Sequence, residues 1–552
     1  MAEADGVVGS LSIKTSDVAV GGGATSLNRV QRFCLAFSYF GQIYGIALFL
    51  LHAVFIFNIY YGASASALGA AGIFMGFYNA LNGMPIARYA DAGHINRYRC
   101  CRKEKCGRRG PWMAIGIPQL AIACFCLFVS PTTDPTGLVL WFLFVYFLVS
   151  NGFTAGFQST LGVLQETMFT DKERARQTML AVPFNMVAYI LAGLVVPAAL
   201  FTQVPDSVTS CCVQPLSKCA KVPCACVLAG ENSTVRFDTG FGRKCTEMIA
   251  TAALRETACG EAATYQPTSF LVTGVVSFVL IMTALAGLIP APLGTVKNKS
   301  EPMFLIPSIV SAFKSSAFRW LAWTNFWNAL SQQLMTGFTS YFFLYSLGVD
   351  FIDIGGEIAT VVAVGISFSM AVVPAWNYIL GLRQPENKSM PKYHPATVGI
   401  FCAFFDFLVC TICYTVSMTT SSTLAFTVGA CVSGVFNGSG DQIFHSTIGW
   451  VMDEDERVTG LRREGMFYAC NGAVQHLSVV VYFIMVAILG AVGFDGKTCP
   501  QDQPPSVSSL VFTYIILSRA FKLVSGLGYY MFPIREKVLE DLLEFKAAQV
   551  PK

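Results

Sequence analysis

The stretch MDEDERVTGLRREG, from Met452 to Gly465, holds eight charged side chains between residues 453 and 464, in a chain whose charged fraction is only 13%. Of the 552 residues, 54% are hydrophobic. Apolar runs recur along the chain with the length of about 20 residues that crosses the hydrocarbon core of a bilayer. Because charge this dense is costly in hydrocarbon, we predict that the stretch is a loop at the membrane surface between two spanning helices.

The apolar runs predict an all-α integral membrane protein with twelve spanning helices. Their approximate limits are 33–60, 66–87, 112–130, 137–163, 178–202, 268–290, 318–346, 355–381, 395–418, 421–449, 465–493 and 508–531. Residues 1–29 lack the basic start and apolar core of a secretory signal, so we expect a disordered cytosolic tail there. The chain then divides into helices 1–5 at 30–202, a polar loop at 203–267, helix 6 at 268–290, a loop at 291–317, helices 7–12 at 318–532 and a C-terminal tail at 533–552.

Lysine and arginine are concentrated in alternate connections. The connection after helix 2 carries eight of them, and those after helices 4, 6, 8 and 10 are basic or highly charged. The short connections after helices 1, 3, 7 and 9 carry none. The positive-inside rule therefore places both termini and the opening stretch in the cytosol. The net charge of +4 fits this bias and gives no indication of nucleic-acid binding.

The polar loop 203–267 lies on the opposite side by this rule, and it contains seven cysteines and the sequon Asn232-Ser233-Thr234. Both features suit an oxidising compartment, outside a plasma membrane or within an endomembrane. We predict glycosylation at Asn232 and a disulfide from this loop to Cys499, between helices 11 and 12, with the other pairings open. The alternative is a chance sequon, since Asn298 and Asn387 begin others on the cytosolic side. The disulfide candidates are Cys211, Cys212, Cys219, Cys224, Cys226, Cys245, Cys259 and Cys499.

The soluble segments offer little chemistry. The cytosolic His94, Cys100, Cys101 and Cys106 match no common zinc spacing, so no metal site is predicted. No Walker A sequence and no coherent catalytic constellation occur in these segments. We therefore predict neither an enzyme nor ATP-driven transport, and no cofactor.

Three charged connections resemble those of the glycoside-pentoside-hexuronide:cation symporters of the major facilitator superfamily. They are GRRGPW at 107–112, ETMFTDKERARQTML at 166–180 and DEDERVTGLRREG at 453–465, which are similar to the family patterns GRRRPW, D-x-x-E-R and D-x-D-E-x-x-T-G-x-R-R-E-G. Each lies between the expected helices. The resemblance implies two six-helix halves that carry a small-molecule substrate across the lipid bilayer by alternating access, as a monomer.

These charged connections are candidates for a cytosolic gate, in which opposite charges pair when the molecule opens outward and separate when it opens inward. A cluster is needed because exposed pairs contribute only about 0–1 kcal/mol each. The alternative is that the charges only fix the topology. The gate candidates are Arg108, Arg109, Asp171, Glu173, Arg174, Asp453, Asp455, Arg462, Arg463 and Glu464.

Polar residues within the predicted helices indicate where the solute binds, because such residues usually face the interior of a bundle. They recur at helical spacing on helices 1, 4 and 7, and amides, hydroxyls and nearby tryptophans suit a neutral polyhydroxylated solute. The alternative is hydrogen bonding between helices. The substrate-binding candidates are Ser38, Gln42, Asn151, Thr154, Gln158, Asn325, Asn328, Gln332, Thr336 and His476, with Trp323, Trp327 and Trp376 close by in sequence.

Ionisable groups within the helices are few. Asp406 lies in the middle of helix 9, Asp441 and His445 lie one turn apart on helix 10, and His476 lies within helix 11. Histidine titrates near physiological pH, so we predict that Asp441, His445 and His476 couple transport to a proton or bind substrate. The alternative is a structural pair on helix 10.

Melibiose-type symporters hold their cation with two acids in helix 2 and one in helix 4, and they carry a lysine in helix 11. Aligned on Pro85, the helix 2 acids fall at Ala80 and Met84, or the first at Asn79 with a one-residue shift. The helix 4 acid falls at Gln158 and the lysine at His476. Neutral amides do not supply the carboxylate charge that a hard cation needs, so we expect proton coupling or facilitated transport and not sodium symport.

The sequence therefore predicts a secondary transporter of a small polar organic solute, sugar-like or glycoside-like. One alternative is a lysophospholipid symporter, because relatives that carry lysophosphatidylcholine resemble this chain in the glycosylated, cysteine-bearing loop after helix 5; His476 would then meet a phosphate. A second alternative is a non-transporting sensor that kept the fold.

Overall fold

The computed structural model describes residues 27–92, 109–167, 171–200, 269–290, 305–349, 354–380, 393–460, 464–495 and 503–549, which contain helices and turns and no strand. Twelve helices, α1–α12, occupy the twelve predicted positions within these ranges. They are α1 Arg29–Phe55, α2 Ala65–Ala92, α3 Gly110–Leu127, α4 Pro135–Thr167, α5 Asp171–Leu200, α6 269–282, α7 Ser316–Tyr341, α8 Ile354–Ile379, α9 Pro395–Thr420, α10 in two segments at Thr423–Asn437 and Gly440–Thr459, α11 Glu464–Ala491 and α12 Pro505–Tyr530.

Eight helices in the described part are long and apolar enough to cross a membrane, judged by length and composition: α1, α3, α4, α6, α8, α9, α11 and α12. The other four carry features that reduce their apolar length. A polar stripe runs along α7, and α10 is broken after Asn437; in α5 the apolar stretch among the residues whose side chains are described is Leu180–Gly193. In α2, small and amide residues lower the apolar content.

Two charged stretches that we predicted as loops are helical instead. The second segment of α10 continues through the acidic residues to Thr459 and ends where Gly460 takes the left-handed conformation, with φ of 69°. Likewise α5 begins at Asp171, so that the charged residues Asp171, Glu173 and Arg174 lie in its first turn. Acidic residues are favoured at a helix N-terminus, and glycine is favoured where a helix ends in the left-handed conformation. The helices therefore extend further into the charged stretches than the loss of hydropathy predicted.

The first helices of the two halves end in the same way. After α1, a five-residue π-helical turn at Ile56–Tyr60 is followed by Gly62 with positive φ, and after α7 the turn at Phe342–Ser346 is followed by Gly348 with positive φ. Both glycines lie two residues beyond the turn. This local repeat supports the predicted division of the bundle into two related halves.

The two halves pack closely where α2 meets α11. A side chain at Gly69 would collide with Ala487, and one at Gly72 would collide with the ring of Phe483. Small residues let helix backbones approach in this way. These contacts lie at the end of the bundle that carries the α1–α2 turn, which is the predicted outer end.

Two further helix pairs join the halves at the same end. The rings of Phe55 on α1 and Tyr341 on α7 meet edge to face, with centroids 5.7 Å apart, and the Tyr341 hydroxyl donates to Asn58 Oδ1 at 3.5 Å. Between α5 and α8, Gly193 lies against Val362. The predicted outer end is therefore closed in this structure.

Two shorter helices lie outside the bundle of spans. Leu305–Lys314 precedes α7, in the segment predicted as a loop. Glu536–Gln549 lies in the predicted C-terminal tail, and its Leu539 and Leu542 are buried in a cluster that includes Trp450 of α10. The C-terminal helix therefore packs beside the charged segment of α10.

Candidate functional site

Ser38 and Gln42 of α1 connect three helices of the first half. Gln42 Nε2 donates to Ser38 Oγ at 3.0 Å and to Thr160 Oγ1 of α4 at 2.9 Å, while Ser38 Oγ donates to the Ala284 carbonyl beyond α6 at 2.8 Å. All three side chains are fully buried. These contacts are of the interhelical kind that we gave as the alternative to solute binding.

The first half also contains buried polar atoms that have no hydrogen-bond partner in the described part of the chain. Several of them lie on α1, α2 and α4, and burying such an atom is unfavourable unless a partner is supplied. The hydroxyl groups of a solute, or water, can satisfy them. On these three helices they include Gln42 Oε1, Asn79 Oδ1, Ser150 Oγ, Thr154 Oγ1 and Gln158 Oε1; others in the first half are His52 Nδ1, Trp112 Nε1, Gln177 Oε1 and Asn185 Oδ1.

Asn151 has its partners on α2. Its Oδ1 accepts from the Tyr78 hydroxyl at 3.0 Å and from Asn82 Nδ2 at 2.7 Å, and its Nδ2 donates to the Phe147 carbonyl of its own helix. Tyr78 and Asn82 are functional candidates that the sequence analysis missed. Their signal was present, because both are polar residues within a predicted span.

Gln158 lies where the two halves meet. A Cβ atom on Gly83 of α2 would lie 3.2 Å from Gln158 Nε2, and one on Gly472 of α11 would lie 3.0 Å from it. Next to Gly472, Asn471 Oδ1 accepts from Asn325 Nδ2 of α7 at 2.6 Å. The structure therefore brings the predicted polar faces of α4 and α7 to adjacent positions on α11.

His476 lies one turn beyond Gly472 on α11 and is half-buried. The structure describes no hydrogen bond of its ring. Asp441 and His445, its predicted partners in proton coupling, belong to the second segment of α10, and their side chains lie outside the description. Their assembly with His476 stays a prediction.

The polar stripe of α7 serves several neighbours. Asn325 bonds to α11, whereas Asn328 Oδ1 accepts from Lys522 Nζ of α12 at 2.5 Å. Gln332 is exposed, and Thr336 donates to the Gln332 carbonyl of its own helix at 2.9 Å. Only the first two members of the stripe bond to other helices in the described part.

The three tryptophans noted in the sequence, Trp323, Trp327 and Trp376, lie in two separate parts of the second half. Trp323 and Trp327 contact each other with centroids 5.5 Å apart, and Trp327 packs on Phe521 of α12. Trp376 of α8 donates through Nε1 to the Val435 carbonyl of α10 at 2.8 Å. Trp376 therefore links two helices of the second half and does not accompany the other two.

A buried ion pair joins α9 to α12. Arg519 Nη1 lies 3.1 Å from Asp406 Oδ2 and also donates to Ser433 Oγ of α10 at 2.9 Å. Asp406 is fully buried, and Arg519 is 3% exposed. The sequence analysis noted Asp406 but passed over Arg519, although an arginine inside a span is itself a signal of function.

Lys522, one turn after Arg519, is the second basic residue of α12. Its Nζ donates to Asn328 Oδ1 and to Asn437 Oδ1 of α10, the latter at 2.6 Å. Asn437 Nδ2 in turn donates to Ser433 Oγ at 2.9 Å. The two basic residues thus share one polar network between α7, α9, α10 and α12, which neither composition nor periodicity could locate.

The acidic gate candidates on α10 are unevenly placed. Asp453 and Asp455 are buried, with 4% and 9% exposure, although we expected residues of an exposed loop. Glu454 and Arg457, which were not gate candidates, form an exposed pair at 2.8 Å. Burial follows from the helical continuation of α10, because its last turns pack against neighbouring segments, among them the C-terminal helix.

On the first half, Arg109 is also buried, and its guanidinium lies against Gly162 of α4, where a larger residue would collide with it. The partners that would complete a gate fall outside the described residues or have side chains that are not described. They are Arg108, Asp171, Glu173, Arg174, Arg462, Arg463 and Glu464.

The predicted glycosylation site Asn232 and the eight disulfide candidates also lie outside the described residues. In the described part the cysteines are free, and they lie within or beside the helices: Cys34, Cys124, Cys126, Cys402, Cys410, Cys413, Cys431 and Cys470. The extracytosolic disulfide and glycosylation therefore stay predictions.

Solved structures of transporters share this fold. A bacterial homologue of the human lysosomal transporter Spinster, inward-facing and unoccupied, has a TM-score of 0.54 at 13% identity, covering 94% of this chain and 99% of that chain. A mutant of the nucleoside transporter NupG has a TM-score of 0.51 at 12% identity, with 91% and 100% covered. A bacterial homologue of the iron transporter ferroportin, outward-facing, also has a TM-score of 0.51 at 12% identity, with 92% and 100% covered.

At identities this low, the similarity is evidence of the fold alone. It confirms the predicted all-α major facilitator architecture. A search of curated protein sequences gives no match for the chain. A sequence profile for the family described as MFS/sugar transport protein matches residues 41–536. This match covers most of the chain and indicates a transporter rather than an enzyme. The chain belongs to the MFS/sugar transport protein family of the major facilitator superfamily.

Proposed function

We propose that the protein is a secondary transporter that carries a small polar, sugar-like solute across a membrane by alternating access. The observation that carries this proposal is the set of buried, unpartnered polar atoms on α1, α2 and α4, of which Gln158 lies against α11 of the other half. Sugar hydroxyls donate and accept hydrogen bonds, so a sugar could satisfy amide oxygens and hydroxyls of this kind. The resemblance of the charged connections to glycoside-pentoside-hexuronide:cation symporters supports the same class.

The contacts between halves support alternating access. The halves pack along several turns of α2 and α11, where Gly69, Gly72 and Gly76 let the two helices approach, and they also meet between α1 and α7 and between α5 and α8. Packed helix pairs of this kind can shift against each other when two rigid halves rock about a central site. The buried gate candidates Arg109, Asp453 and Asp455 lie on helices of opposite halves and would contribute at the cytosolic end.

We propose that transport of the solute is coupled to a proton or is facilitated transport without a coupling ion. Asn79 and Gln158 stand where the resemblance would place acids for a cation, and both are neutral amides whose oxygens are unpartnered in the described part. Asp441, His445 and His476 are the candidates for proton coupling. We further propose cytosolic termini, from the distribution of lysine and arginine, in a plasma membrane or an endomembrane.

Uptake by proteoliposomes that contain the full chain tests the proposal. The panel is labelled sugars, nucleosides and lysophosphatidylcholine, at two external pH values, with and without sodium. We expect saturable uptake of a sugar-like solute that does not need sodium. The variant Gln158→Leu should raise its KM about tenfold, because a buried hydrogen bond to a solute is lost.

The matched control is Thr360→Val, since Thr360 is exposed on α8 and donates only to the carbonyl of Gly356. Its uptake should equal that of the unmodified protein. A folded protein that moves no solute of the panel would contradict the proposal and favour the sensor. Uptake of lysophosphatidylcholine alone would favour the lipid symporter.

A further inference from the structure

The two basic residues of α12 are unequally neutralised. Among the described residues, Asp406 is the one carboxylate in contact with either of them, and it pairs with Arg519. Lys522 is 9% exposed, and among the described residues its ammonium group donates to the amide oxygens of Asn328 and Asn437 and to no carboxylate. The described cluster therefore carries one uncompensated positive charge inside the membrane-spanning bundle, where an unpaired charge is costly.

The hydrogen bonds of Lys522 leave capacity for a ligand. An ammonium group has three donors, and two of them point to the amide oxygens. Because the ammonium cannot accept, both amides must turn their oxygens to it, which directs their Nδ2 groups elsewhere. Asn437 Nδ2 donates to Ser433 Oγ, but the described residues offer no acceptor to Asn328 Nδ2. One ammonium donor and one amide donor thus remain available.

This cluster adjoins the candidate solute site. Asn328 follows Asn325 by one turn of α7, a rise of about 4.5 Å. Asn325 bonds to Asn471, next to Gly472, on which Gln158 packs. A solute that reaches Gln158 and Asn325 therefore needs to extend by about one helical turn to meet Lys522.

We infer that Lys522, with Asn328, is a subsite for an anionic group, a carboxylate or a phosphate, of the transported solute. The inference rests on the proposed function and refines its substrate class from a neutral sugar to an acidic polar solute. An anion would accept the free ammonium and amide donors and neutralise the uncompensated charge. Asp406 and Arg519 are already paired, so they hold α9 and α12 together and leave the solute to Lys522.

The test compares uptake of glucose, glucuronate, a glucose phosphate ester and lysophosphatidylcholine by proteoliposomes that contain the full chain. We expect one or both acidic sugars to be taken up in preference to glucose. Lys522→Gln should raise the KM for the acidic sugar about 10- to 100-fold, the usual loss for a hydrogen bond to a charged group. Lys522→Arg, which keeps the charge, should recover most of this loss.

Asn328→Asp is a second variant that does not depend on removing the lysine. It places a permanent carboxylate beside Lys522, so uptake of acidic sugars should be abolished although the protein stays folded by circular dichroism. The matched control is Lys537→Gln, the same change at an exposed position of the C-terminal helix. Its kinetics should equal those of the unmodified protein.

The outcomes separate this inference from the function on which it rests. Preferential uptake of glucose, or a KM for acidic sugars that Lys522→Gln changes by less than about twofold, would overturn the anion subsite and leave the transporter standing. Uptake of lysophosphatidylcholine that depends on Lys522 would support the subsite and assign the anion to a lipid phosphate. A folded protein that takes up none of the probes would overturn the proposed function and the subsite together.

Discussion

The ion pair between Asp406 and Arg519 gives the sharpest stability prediction. Arg519→Met keeps the aliphatic volume and removes the paired charge, so Asp406 would keep one hydrogen-bond donor among the described residues, the Cys410 thiol at 3.6 Å, beside the more distant charge of Lys522. Both partners are at least 96% buried in the bundle, so solvent cannot replace the lost contact. Breaking a buried pair by removing one partner typically costs about 3–5 kcal/mol, and we expect Arg519→Met to lower the free energy of unfolding by this amount.

The double variant Asp406→Leu, Arg519→Met is the informative partner. It removes both charges, and replacing a buried pair by apolar residues of similar volume is often neutral or stabilising. We therefore expect the double variant to recover most of the stability that the single variant loses. The assay is unfolding of the purified chain in mixed detergent micelles, followed by circular dichroism.

The matched control is the exposed pair on α10. Arg457→Gln removes an arginine–carboxylate pair whose side chains are 39% and 22% exposed, and we expect no measurable change because water screens it. A loss below about 1 kcal/mol for Arg519→Met would refute the reasoning. The reasoning would also fail if the double variant were as unstable as the sum of the two single variants, since the charges would then not depend on each other.

Three further predictions concern packing and hydrogen bonds. Gly72→Val should abolish uptake without unfolding the chain, because the new side chain would collide with Phe483 and keep the predicted outer end of α2 and α11 apart; normal uptake would contradict this. Asn325→Leu should lower the free energy of unfolding by about 1–3 kcal/mol in the same assay, because it leaves the buried Asn471 without its hydrogen bond. Adding Asn471→Leu should recover most of this loss. An unchanged stability of the single variant would count against the hydrogen bond. Asn28→Ala should cost about 1 kcal/mol by removing the capping box with Gln31 at the start of α1, whereas Thr415→Val on the exposed face of α9 should have no effect.

The spans were predictable because hydrocarbon imposes a length and a composition on any helix that crosses it. The ends of the helices were less predictable, because the charged turns of α5 and α10 project beyond the apolar stretch while keeping helical hydrogen bonds. The capping glycine at 460 was visible in the sequence, and it marks the end of α10 better than the loss of hydropathy does.

The site was predictable as a set of positions but not as a set of contacts. At 100° per residue, Gln332 and Thr336 lie within about 20° of Asn325 around α7, whereas Asn328 lies about 60° away from it. An angular tolerance wide enough to recognise the polar stripe from the sequence assigns all four residues to one face of α7. The angle of about 60° between Asn325 and Asn328 is nevertheless enough to direct Asn325 to α11 and Asn328 to α12.

The same limit explains why Arg519 and Lys522 were overlooked. Basic residues are rare inside spanning helices, so the sequence alone singles them out. Their role, however, depends on the residues that they contact in the fold. Arg519 meets a carboxylate and becomes part of the scaffold, while Lys522, three residues later, meets two amides and keeps its charge uncompensated among the described residues. Since one turn of helix separates a structural cation from a candidate binding cation, the substrate class is decided by contacts between helices, which no single-helix pattern contains.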